Sequence, residues 1–301
     1  MTALDGTMHW EGRHTWYRVL GGLEGGRTPV VLLHGGPGLT HDYLTPLAEA
    51  LSGPAGGGRP CVLYDQYGGG RSGHRADAPA GFWTVELFLE ELRLLLAHLG
   101  IEDAFHLLGH SWGGMLGLEL AVTRPRGLRS LTTTGAFAAS RTYISEVRGL
   151  VDALPEPTRA VILRHEAAGT TDSAAYQEAM LEFYRRHVIL ARPVPECLLR
   201  TVAAMREDPT VCRAMMGESE FSMTGSLRTW DIRDRLHLVQ TPVLVASGRH
   251  DEVTPAAADE LYEALPYAER AVLEGSSHHP HLDQPAEFLD LVRKFIDHAD
   301  Q

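Results

Sequence analysis

The sequence predicts an α/β protein, a mostly parallel sheet with helices on both faces, interrupted by an all-helical insertion. Three observations predict it. Short apolar runs alternate with helix-patterned segments through residue 135, as expected of βα units feeding a parallel sheet. Residues 136–225 then read as successive helices without a buried strand, and strand patterns return afterwards. Finally, 301 residues exceed the roughly 150 of an ordinary domain, leaving room for a large domain with an insertion. The expected division is a core of residues 1–135 and 226–301 and a helical cap of residues 136–225.

Pro29-Val-Val-Leu-Leu33 is near-continuously apolar, the mark of a strand covered on both faces. Cys61–Tyr64, Phe105–Leu108 and Leu128–Thr133 read the same way. Between them, Leu87, Phe88, Leu92, Leu95, Leu96 and Leu99 recur at helical spacing and stop at Gly100, a good helix terminator. A second helix is expected from Met115 to Val122. In the insertion, helices are expected over Tyr143–Leu154, Pro157–Glu166, Ser173–Val188 and Pro195–Glu207. Strands are expected at Pro242–Ser247 and Ala271–Leu273, with a closing amphipathic helix over Pro285–His298.

Composition excludes several function classes. Lys and Arg number 27 against 39 Asp and Glu, a net charge of −12, which argues against a nucleic-acid partner because phosphate backbones call for basic patches. No run of 18 apolar residues exists, so no membrane span is expected. The N-terminal residues lack a basic start followed by an apolar run, and the three cysteines (Cys61, Cys197, Cys212) are widely spaced without a CxxC pair. These features point to a cytoplasmic protein with thiols rather than to disulfides or a zinc site.

Gly109-His-Ser-Trp-Gly113 fits G-x-S-x-G, with a buried strand running into it and a helix running out. That context raises a serine on a sharp turn, with glycines where neighbouring backbones come too close for side chains. Ser111 is the expected nucleophile. A nucleophilic serine needs a base, and the base an orienting carboxylate; in this arrangement they follow in the order Ser, acid, His, on loops after later strands. Asp251 lies four residues past the strand ending at Ser247. Of the 16 histidines, His278, His279 and His281 lie on the loop after Leu273. His278, first after the small residues, is taken as the base, with His279 as the alternative. His106 and His110 read as ordinary neighbours of a strand and a turn. The expected oxyanion donors are the N–H of Trp112 and that of Gly36 within His34-Gly-Gly-Pro-Gly38, since Pro37 has none to give. No metal or organic cofactor is called for.

Taken together, His34-Gly-Gly-Pro-Gly38, Asp65-Gln-Tyr-Gly-Gly-Gly-Arg-Ser72 and Gly109-His-Ser-Trp-Gly-Gly114 resemble the proline iminopeptidase family of α/β-hydrolases. The likeness extends along most of the chain, including Phe183-Tyr-Arg-Arg-His187 and Gly217-Glu-Ser-Glu-Phe221. It implies release of an N-terminal residue, often proline, from peptides, amides or arylamides, with the helical insertion covering the site. It also implies that the substrate's free amine is held by two glutamates, matched here by Glu220 and Glu252. An ammonium entering a desolvated pocket needs such anionic acceptors. The Asp65–Ser72 motif reads as a loop shaping the floor of the site.

The chain departs from the family where Met216-Gly-Glu-Ser-Glu-Phe221 lacks the usual first Asn and Pro, and where Cys212 replaces a tyrosine. These changes bear on substrate choice more than on hydrolysis. Five of the eight methionines (Met180, Met205, Met215, Met216, Met223) lie in this region, as packing or as an adaptable apolar wall. The expected partner is thus a small molecule with a free N-terminal amine. The alternatives are a tailoring amidase acting on a bulky apolar metabolite, a carboxylesterase or acyltransferase with the same triad, and a non-catalytic binding protein on the same scaffold.

Overall fold

The computed structural model describes residues 2–24, 26–79, 81–217, 221 and 223–301. Their strands are β1 (Ala3–Trp10), β2 (Arg13–Leu20), β3 (Val30–Leu33), β4 (Cys61–Tyr64), β5 (Phe105–His110), β6 (Leu128–Thr134), β7 (Val243–Gly248) and β8 (Ala268–Leu273). They form one sheet in the order β1-β2-β4-β3-β5-β6-β7-β8. From β4 to β8 neighbours are parallel, whereas β1 and β2 are antiparallel to each other and β2 to β4.

The apolar runs of the central strands are explained by burial on both faces. Val31, Leu33, Val62, Tyr64, Val243 and Val245 enter one core, while Val30, Leu32, Cys61, Leu63, Leu244 and Ala246 enter the other. This is the period of two that a pleated strand imposes. The helices are α1 (Thr45–Ser52), α2 (Val85–His98), α3 (Trp112–Ala121), α4 (Ser140–Asp152), α5 (Glu156–Ala168), α6 (Ala174–His187), α7 (Glu196–Glu207), α8 (Thr210–Met215), α9 (Pro255–Ala264), α10 (Pro280–Asp283) and α11 (Pro285–Ala299). The first core is covered by α2, α3 and α9, the second by α1 and α11. Helix α2 starts where the Thr84 side chain accepts the Leu87 N–H, an N-cap of ordinary form, and stops at Gly100, whose φ is 65°.

Between β6 and β7 the chain runs through α4 to α8 with no strand among the described residues, only an isolated bridge between Ala139 and Asp231. Several elements differ from the sequence reading. The β1–β2 hairpin escaped it because β1 is a half-exposed edge strand in which only Met8 and Trp10 are buried. Its turn is Glu11-Gly12, with both φ angles positive, as a two-residue hairpin loop demands. Helix α3 begins at Trp112 rather than Met115, its first turn disguised by Gly113 and Gly114. Strand β8 begins at Ala268, three residues before the apolar stretch, because edge position lets Glu269 and Arg270 sit in it. Helices α1, α8, α9 and α10 were not anticipated, although Thr254-Pro255 at the start of α9 is a readable signal: the Thr254 hydroxyl accepts the Ala257 N–H. No described helix is long and apolar enough to cross a membrane.

Candidate active site

Ser111 sits between the end of β5 and the first residue of α3 with φ 54° and ψ −123°, a conformation an L-residue holds only under constraint. The constraint is visible. The Ser111 N–H donates to the Thr134 carbonyl of β6, and its own carbonyl accepts from Gly114 and Met115 at the start of α3. A Cβ on Gly109 would stand 2.3 Å from the Gly113 oxygen, and one on Gly113 would stand 2.1 Å from the Leu33 oxygen. Both glycines of the motif are therefore dictated by close backbone approach.

Asp251 and His278 meet. His278 Nδ1 lies 2.7 Å from Asp251 Oδ1, which also accepts the Val253 N–H at 2.8 Å. Both side chains are buried. With Nδ1 donating to the carboxylate, Nε2 is left as the basic nitrogen. His279 turns away, its Nδ1 on the Val188 carbonyl at 2.8 Å, so the alternative base has no orienting acid. Among the described residues no hydrogen bond joins Ser111 to His278, and such bonds often tighten only once substrate is bound. The two are nonetheless held by a common frame. His110, next to the serine, packs its ring 4.6 Å from that of His278 and binds the His278 carbonyl.

The N–H groups of Gly36 and Trp112 donate to no acceptor among the described residues. The loop carrying Gly36 is braced from beneath. His34 Nε2 accepts the Gln66 N–H at 3.0 Å and Nδ1 lies 2.9 Å from the Gly35 carbonyl. Burial pulls this imidazole down to about 4, consistent with one donor and one acceptor nitrogen. Gln66 also bonds the His34 carbonyl and the Trp112 indole N–H. Asp65 accepts from His41 and from the Arg71 N–H. The Asp65-Gln66 motif thus ties two glycine-rich loops to the nucleophile turn, as a floor would.

Glu252 is buried beside His278, its Oε1 3.6 Å from His278 Nε2. Its predicted partner in amine binding, Glu220, lies outside the described residues. Sequence reasoning missed three contributors. Gly135 is one, because a Cβ there would stand 2.6 Å from the His278 ring and 3.5 Å from Asp251 Oδ2. The second is the His187 carbonyl at the end of α6, which accepts both the Glu252 and His278 N–H groups. The third is His110 with Tyr43. None carries a local pattern that would reveal it. Four imidazoles (His110, His278, His279, His281) crowd together here, yet no group of three or more His, Cys, Asp or Glu among the described residues is placed to hold a metal.

Known proteins share the fold. The profile of the family described as alpha/beta hydrolase fold matches residues 28–210. The proline iminopeptidase of Clostridium botulinum is 34% identical, the match covering 100% of both chains. Among solved structures, the proline iminopeptidase of Mycobacterium smegmatis superposes with a TM-score of 0.92 at 41% identity, over 99% of each chain. VinJ superposes at 0.93 with 43% identity, over 99% of this chain and 98% of its own. An α/β sheet of this order and relatives of such identity over the full length place the chain in the proline iminopeptidase family of the α/β-hydrolases.

Proposed function

We propose that this hydrolase is a serine aminopeptidase that releases the N-terminal residue, proline among its substrates, from short peptides or aminoacyl amides. Ser111 attacks the carbonyl of the first residue while His278 takes its proton, with Asp251 fixing the imidazole tautomer. The N–H groups of Gly36 and Trp112 receive the oxyanion. His278 then protonates the leaving amine, and water releases the acid from the acyl-enzyme. Glu252, together with Glu220, receives the substrate's ammonium, and residues 136–225 cover the site. The observation carrying this reading is the buried Asp251–His278 pair at 2.7 Å, whose main chain is bonded by His110, the neighbour of a serine on a strained strand-to-helix turn. Glu252 at 3.6 Å from the base supports the free-amine requirement.

The test is turnover of L-prolyl-4-nitroanilide by the wild type and by Ser111→Ala. The variant is expected to lose about 10⁴-fold or more in kcat, as removal of a triad serine does elsewhere. Wild-type-like turnover by Ser111→Ala would end the assignment.

A further inference from the structure

His110 precedes the nucleophile, and nothing in the reaction requires its imidazole. It is nonetheless buried and doubly bonded. Its Nδ1 lies 2.8 Å from the Tyr43 hydroxyl and its Nε2 lies 2.8 Å from the His278 carbonyl. The Tyr43 hydroxyl in turn stands 2.7 Å from the Gly35 nitrogen. Chemistry sets the direction of all three bonds. A carbonyl only accepts, so His110 Nε2 carries a proton. A backbone N–H only donates, so the phenol oxygen accepts from Gly35 and sends its own hydrogen to His110 Nδ1. One chain results, running from Gly35 N–H through the Tyr43 hydroxyl and the His110 ring to the His278 carbonyl. It is self-consistent only for a neutral His110, and burial, with the neighbouring imidazoles, pushes that ring well below its ordinary pKa.

Each contact lands at most one residue from a reacting group. Gly35 adjoins the oxyanion donor Gly36, His110 adjoins Ser111, and the final acceptor is the main chain of the base itself. We propose that Tyr43 and His110 are positioning residues whose hydrogen-bond chain sets the oxyanion loop, the nucleophile turn and the base loop in mutual register. Asp251 controls the rotation and tautomer of the His278 ring, whereas His110 controls where its backbone stands. Both are needed, because a misplacement of about 1 Å costs on the order of 10²-fold in rate. The surrounding rings of His279 and His281, packed on Tyr43 at 5.4 and 5.5 Å, keep water from competing for these bonds.

The proposal rests on the assignment of Ser111 as nucleophile, so its test uses a readout independent of substrate preference. That readout is the rate at which a fluorophosphonate probe labels Ser111, measured beside kcat and KM for L-prolyl-4-nitroanilide. Tyr43→Phe keeps the ring and removes the hydrogen that selects the His110 tautomer. It is expected to slow labelling and kcat by about tenfold or more, with KM within about threefold. His110→Leu should do the same, and the double variant should be no slower than the worse single, because both break one chain. His110→Gln, which can return a donor towards the His278 carbonyl, should recover part of the loss. Wild-type labelling by Tyr43→Phe, or losses that multiply in the double variant, would overturn the proposal. A wild-type enzyme that takes no label would remove the Ser111 assignment, and the proposal with it.

Discussion

Gly135 shows how little room the site leaves at the level of single atoms. Its φ of 61° already favours glycine, and an added methyl would collide with the imidazole of His278. Gly135→Ala is therefore expected to lower kcat by about 10²-fold while the protein remains folded, as steady-state kinetics and circular dichroism would show. A second residue matters away from the site. Glu91 of α2 is fully buried, accepting from the Thr15 hydroxyl at 2.5 Å and from the Tyr67 N–H at 2.9 Å. Burial pushes its carboxyl up to about 8, against the opposing pull of those two donors. Because the folded state holds this proton more tightly than the unfolded chain, whose carboxyl titrates near 4.3, stability should fall as pH rises from about 4.5 to 8. Glu91→Gln keeps an acceptor for Tyr67 and removes the titration. Its melting temperature should decline less than that of the wild type between pH 5 and 8, and an unchanged slope in thermal scans would refute this.

At the scale of elements, the segment between β6 and β7 grips the loops of the site at several points. The end of α6 accepts the Glu252 and His278 N–H groups, and Asp283 of α10 accepts the N–H groups of Leu190, Ala191 and Ser277. The turn joining α7 to α8 is held differently. There Asp208 meets His74 Nδ1 at 2.5 Å, while His74 Nε2 faces the Gly70 carbonyl at 3.0 Å. Two acceptors on two ring nitrogens favour the imidazolium. Burial lowers the pKa of His74, but the Gly70 carbonyl and the Asp208 carboxylate outweigh it and the net shift is upward. Asp208 is also affected by burial, which raises it, yet its bonds to Thr210 and His74 bring it below the usual carboxylate range. The histidine's contribution is thus complete below about pH 6.5 and lost as pH rises through its higher folded value. The aspartate's is present above about pH 4 and lost on acidification. His74→Ala should lower the melting temperature by about 1–3 °C near pH 6 and leave it unchanged at pH 9, a small effect because both groups are partly exposed. Equal shifts at the two pH values would show that the contact is not ionic.

For the whole molecule, the decisive question is which substrate the site accepts. A site with Glu252 buried beside its base should discriminate against substrates that lack a positive charge at the first residue. Acetylating the amine of L-prolyl-4-nitroanilide is expected to lower kcat/KM by about 10²-fold or more, the scale lost when one partner of a desolvated charge pair is removed. Glu252→Gln should lower kcat/KM for the free-amine substrate and narrow that gap. Equal rates on blocked and free substrates would take away the role given to the glutamates. The acidic charge of −12 is compatible with cationic substrates and adds no requirement of its own.

The sequence by itself determined the parts that depend on near neighbours. It identified the buried strands by unbroken apolar runs, the helices by their spacing, and the sharp turn at Ser111 by glycines that two close backbones demand. It also determined the order in which acid and histidine must follow. Tertiary structure alone decided which of three histidines faces Asp251, that Tyr43 and His110 bond Gly35 to the His278 carbonyl, why residue 135 must be glycine, and that β1 and β2 extend the sheet. The reason is physical. Periodicity and turn chemistry act within a few residues. By contrast, the hydrogen bonds that choose His278 over His279 and join His110 to the base span 27 and 168 residues of chain, so they exist only after the sheet has brought its loops to one edge.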